Sequence, residues 1–175
     1  MLKIFINTWG NYNENGADGG RWVNLPMDED ELEAELESIA EAMGDHDPEF
    51  AIHDYEWENY HIRDINELES IHKLNEELQE LAELDDYDME EALAAVEAWG
   101  YSLEEAISKQ SQGYFILYRN MDLYDVAVEL ADEMMHCYGN KEVPEIFTRY
   151  FDYNAFARDL GFDGYTETDF GVIVE

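Results

Sequence analysis

Basic residues are scarce in this sequence. The chain of 175 residues contains nine Lys and Arg against 44 Asp and Glu, which gives a formal net charge of −35 at pH 7. The acidic residues are spread along the whole chain instead of forming one tail. A molecule of this charge is repelled by nucleic acid and by anionic membranes, so neither is an expected partner. It is attracted to basic grooves on proteins, and the grooves that bind DNA are the commonest of these.

Cysteine and long apolar runs are also scarce. Cys137 is the only cysteine, which excludes an internal disulfide and fits a reducing compartment. The apolar run at the start of the chain ends at Asn7 and Thr8, so it is too short for a signal peptide. No run approaches the roughly 20 residues that a membrane-spanning helix needs. We therefore expect a soluble protein of the cytoplasm.

The sequence contains no recognisable pattern for enzymatic chemistry. None of the five histidines stands in a metal-ligand spacing such as HExxH, and the glycines at 16–20 lack the Lys-Ser/Thr pair of a phosphate-binding loop. His53 and Asp54 are neighbours in a predicted strand, where adjacent side chains face opposite sides, so we do not expect an acid–base pair. The sequence therefore predicts no catalytic residue, cofactor or metal site, and a binding protein instead of an enzyme.

The apolar content of 46% is high enough for a folded chain, and the periodicity of the apolar residues divides it into three small domains. In residues 1–61, one helix begins after Asp28, and a polar loop is expected at 10–20. The alternation of apolar and polar residues predicts a small antiparallel sheet beside that helix, with strands at 2–8, 21–25 and 49–57.

Residues 62–108 have apolar positions at steps of three and four throughout, which predicts a helical middle domain. The first series of apolar positions runs from Ile65 to Leu84, with Asn75 as a possible break. Asp88 is the predicted N-cap of the next helix, and Ser102 that of a third.

Residues 109–175 predict a C-terminal α+β domain. It contains a buried strand at 113–118, two paired strands within 164–174, and helices that begin after Asp122, at Pro144 and after Asp152. Aromatic residues around Tyr114–Tyr118 or Tyr150–Tyr153 form a candidate dimer interface. The predicted fold class is α+β, with three small domains in a row and a highly acidic surface.

The first predicted helix lacks the lysines that a soluble helix usually has. Residues 28–58 carry fourteen acidic residues and no Lys or Arg. Glu29, Glu33, Glu37 and Glu41 recur at i,i+4, so they form one stripe on a helix, and each such like-charge pair disfavours the helix by about 0.2–0.5 kcal/mol. A sequence selected only for solubility would mix the two signs of charge. We interpret the stripe as functional.

An acidic surface of this extent could imitate DNA. Duplex DNA has one negative charge per ~1.7 Å of its axis, whereas a helical i,i+4 stripe has one per ~6 Å, so an imitation needs acids on several elements. A charge of −35 corresponds at most to roughly 60 Å of duplex. An acidic adaptor that binds another basic partner is the alternative. The carboxylates that we select as the binding surface are Glu29, Glu33, Glu37, Glu41, Glu76, Glu80, Glu83, Asp125, Glu129 and Asp132.

Several segments are similar to a known family. They lie in order along nearly the whole chain: Gly10–Glu14 (GNYNE), Gly20–Pro26 (GRWVNLP), His53–Glu56 (HDYE), Tyr150–Gly161 (YFDYNAFARDLG), Asp163–Tyr165 (DGY) and Gly171–Val174 (GVIV). In these segments the chain resembles the ArdA-type antirestriction proteins.

The resemblance implies an elongated three-domain DNA mimic that is a homodimer through its C-terminal part. Such a protein occupies the DNA-binding groove of a type I restriction-modification enzyme, on its methyltransferase core, and blocks restriction and often modification. The family is carried by mobile genetic elements, which it protects in a new host. It has no catalytic residues to carry over. Its antirestriction motif, an acidic helix with leucines, is matched by Leu123, Asp125, Val126, Glu129, Leu130, Glu133 and His136.

Overall fold

A computed structural model describes residues 1–137, 143 and 148–175. Within these residues the protein is α+β, as predicted, with seven helices and two small antiparallel sheets. The elements are β1 (Leu2–Thr8), α1 (Trp9–Asn15), β2 (Arg21–Leu25), α2 (Glu29–Met43), β3 (Phe50–Trp57), α3 (Ile71–Glu83), α4 (Asp86–Trp99), α5 (Leu103–Ser111), β4 (Ile116–Arg119), α6 (Leu123–Cys137), α7 (Tyr153–Phe162), β5 (Thr166–Thr168) and β6 (Gly171–Val174).

The chain divides into two compact units, Met1–Asp85 and Asp86–Glu175. The helical segment that the sequence analysis treated as one middle domain contributes α3 to the first unit and α4 and α5 to the second. The division into three domains stays a prediction.

The first unit is built on a three-stranded sheet of order β2-β1-β3. The alternating residues Leu2, Ile4 and Ile6 of β1 are fully buried, because strand geometry directs every second side chain to the same face. On α2, the buried residues Leu32, Leu36, Ile39 and Ala40 follow the helical period.

Capping residues set both ends of α2, and its start lies where the sequence predicts it. The Asp28 carboxylate accepts a hydrogen bond from the Asp30 N–H at 3.0 Å, which satisfies one of the free donors of the first turn. Gly44 ends the helix with a φ of 68°, a left-handed conformation that glycine adopts without steric penalty.

The polar loop predicted at 10–20 is wrong in its first half, which forms α1. The Thr8 hydroxyl accepts a hydrogen bond from the Asn11 N–H, and the buried Asn7 side chain bonds to Thr8, Asn11 and Gly16. This helix has no buried residue. Polar side chains that bond to the backbone hold it in place, and such a helix has no apolar period to detect.

The helical pattern predicted from residue 62 is also wrong, since α3 begins only at Ile71, after its N-cap Ser70. The preceding segment lies along β3, where the Ile52 N–H donates to the Glu67 carbonyl at 2.9 Å. Leu68, one of the apolar positions between Ile65 and Leu84, is 71% exposed. Asn75 does not break the helix, because its buried side chain bonds to both the N–H and the carbonyl of Met27.

The second unit contains the sheet of order β4-β6-β5 and the four remaining helices. One cluster of its core joins Val126 and Ala127 of α6 to Ala157 and Leu160 of α7 and to Val172 of β6. Helices α6 and α7 start as predicted, because Asp122 accepts from the Asp125 N–H and Asp152 from the Ala155 N–H.

Two predictions for this unit are wrong in position. Helix α4 begins at Asp86, so Asp88 lies in its first turn and is not its N-cap. The strand predicted at 113–118 is shorter and shifted, since β4 begins at Ile116, and Tyr114 and Ile116 are exposed. The helix predicted from Pro144 lies outside the described residues. The N-cap Ser102 is confirmed by its hydroxyl, which accepts from the Glu105 N–H at 3.2 Å.

Candidate protein-binding surface

All ten carboxylates selected from the sequence are exposed. They lie on α2 and α3 of the first unit and on α6 of the second. The buried stripes of these helices face their own cores, so the acids cover the opposite faces. The structure therefore makes these groups available to a partner on both units.

The stripe on α2 is not uniform. Glu29 is engaged, because its Oε1 lies 2.6 Å from Nδ1 of His72 on α3. Glu33, Glu37 and Glu41 line a groove of about 750 Å³ beside α2. The groove also contains apolar residues, which are Leu36, Ala40, Pro48 and Phe50.

Helix α3 carries one nearly buried acid with a structural role and three exposed acids. Glu77 is only 8% exposed and pairs with Arg63 at 3.2 Å and with Lys73 at 3.4 Å. Glu76, Glu80 and Glu83 are exposed on the same helix. The ten carboxylates selected from the sequence include these three and not Glu77, but its pairing with Arg63, 14 residues away, is visible only in the fold.

On α6, the motif taken from the resemblance divides into an inner and an outer face. Val126 is fully buried, and Leu123 and Leu130 pack against the same core cluster. The other motif residues, Asp125, Glu129, Glu133 and His136, are exposed. Amphipathic geometry therefore explains why leucines and acids alternate in this segment.

The described basic residues are used mainly inside the protein's own structure. Seven Lys and Arg side chains form ion pairs with carboxylates: Lys3–Glu58, Arg21–Glu35, Arg63–Glu69, Lys73–Glu77, Lys109–Glu175, Arg119–Glu90 and Arg158–Asp159. Each pair neutralises one acid locally and leaves the large excess of carboxylates uncompensated.

Comparison with known proteins decides the family. The family model described as antirestriction protein (ArdA) matches residues 4–174. The chain belongs to the ArdA antirestriction family. A search of curated proteins returned no match. ArdA proteins are inhibitors rather than enzymes, and antirestriction implies an interaction with restriction-modification enzymes.

In this ArdA protein, Arg63 organises a network that sequence reasoning missed. Its guanidinium bonds to the carboxylates of Glu69 and Glu77, and its carbonyl accepts from the Trp57 indole at 2.9 Å. Burial raises the pKa of Glu69, but the bonds from Arg63 and from the Asn66 N–H outweigh it, so the pKa lies below its ordinary value. The network attaches the segment before α3 to both β3 and α3.

The histidine–aspartate neighbours in β3 have separate roles in the ArdA fold. The His53 ring stacks on Tyr12 with centroids 3.8 Å apart, and its Nδ1 lies 3.0 Å from the Glu67 carboxylate. Asp54 is exposed and accepts a hydrogen bond from the Tyr55 N–H. These contacts support a packing role for His53.

Two kinds of feature are absent from the described part of the chain. No group of three or more His, Cys, Asp and Glu side chains there is arranged to hold a metal ion. Among the described helices, none has the length and apolarity required to cross a membrane.

Proposed function

We propose that this ArdA protein blocks restriction as a DNA mimic that occupies the DNA-binding groove of a type I restriction-modification enzyme, on its methyltransferase core. Modification would be blocked as well wherever it uses the same groove. The observation that carries the proposal is the placement of exposed carboxylates on helices of both units, while most described cations are paired internally.

The mechanism requires a surface that matches the groove in charge and shape, and it requires no catalytic step. The Lys and Arg side chains of a DNA-binding groove normally bind phosphates, and carboxylates placed on several helices would satisfy the same cations. Because DNA and the inhibitor need the same groove, binding of one excludes the other. Affinity that arises from paired charges falls as salt is added. Since restriction acts on DNA inside the cell, we place this function in the cytoplasm.

We further propose that the protein acts as a homodimer through its second unit, as the resemblance implies. Several large apolar side chains of this unit are exposed, among them Met134, Tyr150 and Phe162. A highly charged chain needs such apolar surface to associate with itself. Sedimentation of the variant Phe162→Glu should give a monomer, whereas Leu68→Glu, at an exposed leucine of the first unit, should leave the dimer intact.

The alternative is an acidic adaptor that binds a basic protein at a surface unrelated to DNA. No described feature favours a particular partner of that kind. Competition with duplex DNA separates the two functions, because an adaptor and DNA could bind the same partner together.

The decisive experiment is a titration of the protein into a type I methyltransferase core bound to labelled duplex, at two salt concentrations. We expect stoichiometric displacement of the duplex that weakens at the higher salt concentration. Absence of displacement by the folded protein at both concentrations would contradict the proposal.

A further inference from the structure

The groove beside α2 combines two kinds of surface. Its acidic side is formed by Glu33, Glu37 and Glu41, which occupy successive turns of the helix, and by Asp45 after the helix. Its apolar side includes Leu36 and Phe50, together with Ala40 and Pro48. The volume of about 750 Å³ lies within the range of sites that bind ligands or side chains of a partner.

The groove has the length and the electric field for a cationic segment. From Glu33 to Glu41 the helix rises about 12 Å, which is the length of three or four extended residues. Its lining, all within the described residues, contains no Lys or Arg, and its cationic candidates are His46 and His72. His72 is already bonded to Glu29, which leaves His46 as the remaining cationic candidate against several carboxylates.

We propose that this groove receives an arginine-bearing segment of the target enzyme, which rests on the function proposed above. The guanidinium would lie between Glu37 and Glu41, where its planar fork can bond to carboxylates in pairs. Its aliphatic stem and the apolar neighbours of the arginine would cover Leu36 and Phe50. Arginine fits better than lysine, because the guanidinium is weakly hydrated and stacks on aromatic rings such as that of Phe50.

The two other candidate occupants lack one of these features. A small cation would leave the apolar side exposed to water. A second copy of this chain has a charge of −35 and would bring further carboxylates to the groove. A partner segment that is both basic and apolar satisfies both sides.

This contact would differ from those of DNA. A phosphate backbone offers charge but no apolar recess, so the groove would give the inhibitor a contact that the displaced duplex lacks. Apolar contacts are insensitive to screening. The affinity of the inhibitor should therefore fall with added salt, but less steeply than its charge contacts alone would give.

The test uses the same displacement assay at two salt concentrations, with variants of the full chain. Ala40→Leu, at a residue only 7% exposed in the groove lining, fills the groove without changing charge. Excluding about 60 Å² of apolar contact corresponds to about tenfold in affinity, and we expect this loss equally at both salt concentrations. Phe50→Ala removes part of the apolar side and serves as a second variant if Ala40→Leu does not fold.

The electrostatic part of the proposal is tested with a double variant that combines Glu37→Gln and Glu41→Gln. Its matched control is Glu14→Gln with Glu31→Gln, two exposed acids of the same unit outside the groove. We expect the groove pair to lose about tenfold more affinity than the control pair at low salt. Equal losses in the two pairs, or wild-type affinity in both apolar variants, would overturn the groove while leaving the DNA mimic intact. If the wild-type protein itself displaces no DNA, both proposals fail.

Discussion

Arg63 shows how much depends on one cation in an acidic chain. It bonds to Glu69 and Glu77, and both carboxylates are largely buried. Arg63→Met keeps the aliphatic volume but leaves the two acids without their donor, so we expect a loss of about 2 kcal/mol in the free energy of unfolding. Denaturant titration followed by tryptophan fluorescence measures it.

The control for this variant is Arg158→Met. Arg158 is exposed and bonds to its neighbour Asp159, so the same change of net charge should leave stability within about 0.5 kcal/mol of wild type. Because the pKa of Glu69 is lowered in the folded state, its contribution is present above the ordinary pKa of 4.5 and is lost as pH falls through the folded value. The difference between Arg63→Met and wild type should therefore shrink below pH 4.5. An equal difference at acidic and neutral pH would contradict the assignment.

Glu91 gives the opposite dependence on pH. Burial raises the pKa of this α4 carboxyl, and the nearby Asp88 adds to the shift, while a hydrogen bond from Gln110 opposes it. Its protonated form therefore favours folding at low pH, and that stability is lost as pH rises through the raised pKa. We expect Glu91→Gln to raise the melting temperature at pH 7 and to leave it nearly unchanged at pH 4.

Exposed Glu129 on α6 is the matched position for this comparison. Glu129→Gln removes the same charge from the same unit without removing a buried carboxylate. It should change the melting temperature less than Glu91→Gln at pH 7. Equal effects would mean that net charge, and not burial of Glu91, determines the result.

Most single residues that act locally could be predicted, with Asp88 as the exception among the expected caps, and those that act across the chain could not. Asp28, Ser102, Asp122 and Asp152 cap helices because each bonds to a backbone N–H two or three residues ahead. The partners of Arg63 depend on the path of the segment that precedes α3. A sequence pattern contains no information on that path.

At the scale of elements, the acidic residues of α2 should lower the stability of the protein while they contribute to inhibition. Glu37→Lys replaces two repulsive i,i+4 pairs, with Glu33 and Glu41, by two attractive ones, and we expect a gain of about 1 kcal/mol. The same change reverses a charge on the proposed binding surface and should weaken inhibition of the restriction enzyme. Chemical denaturation and a DNA cleavage assay measure the two effects.

Glu31→Lys is the appropriate comparison on the same helix. Glu31 is exposed but lies outside the groove. It should weaken inhibition less than Glu37→Lys, although the change of net charge is identical. If both variants inhibit as well as wild type, the acidic face of α2 is not part of the binding surface.

Elements with a strong apolar period were the predictable ones. Helices α2 and α6 bury residues at helical spacing, and β1 alternates, so their positions follow from the sequence. Helix α1 buries nothing and is held by Asn7 and Thr8. The apparent helical period at 62–70 is accidental, because that segment is fixed by bonds to β3.

For the whole molecule, we predict that the binding energy is distributed. Exposed ion pairs contribute about 0.2–1 kcal/mol each, so neutralising one selected acid should weaken inhibition by less than about fivefold. Neutralising acids in succession should weaken it gradually and make the dependence of log K on log salt shallower at each step. Displacement titrations at several salt concentrations measure this slope. Complete loss of inhibition in one folded single variant would refute the distributed surface.

The family could be predicted from short segments in order, because their residues have structural roles. Gly20 is an example, since the Phe5 ring lies where a Cβ at this position would be. Net charge indicated the class of partner. The structural role of acids such as Glu77 and Glu91 could be recognised only from the fold.

The boundary between the two units also has a consequence for proteolysis. It falls at Asp85–Asp86, and the sequence has no Lys or Arg between Lys73 and Lys109. Trypsin therefore has no cleavage site near this boundary, and digestion yields one long peptide that contains it. A protease that cleaves after acidic residues has sites at the boundary but also throughout both units, so only limited digestion of the folded protein would release each unit for comparison of their inhibitory activities.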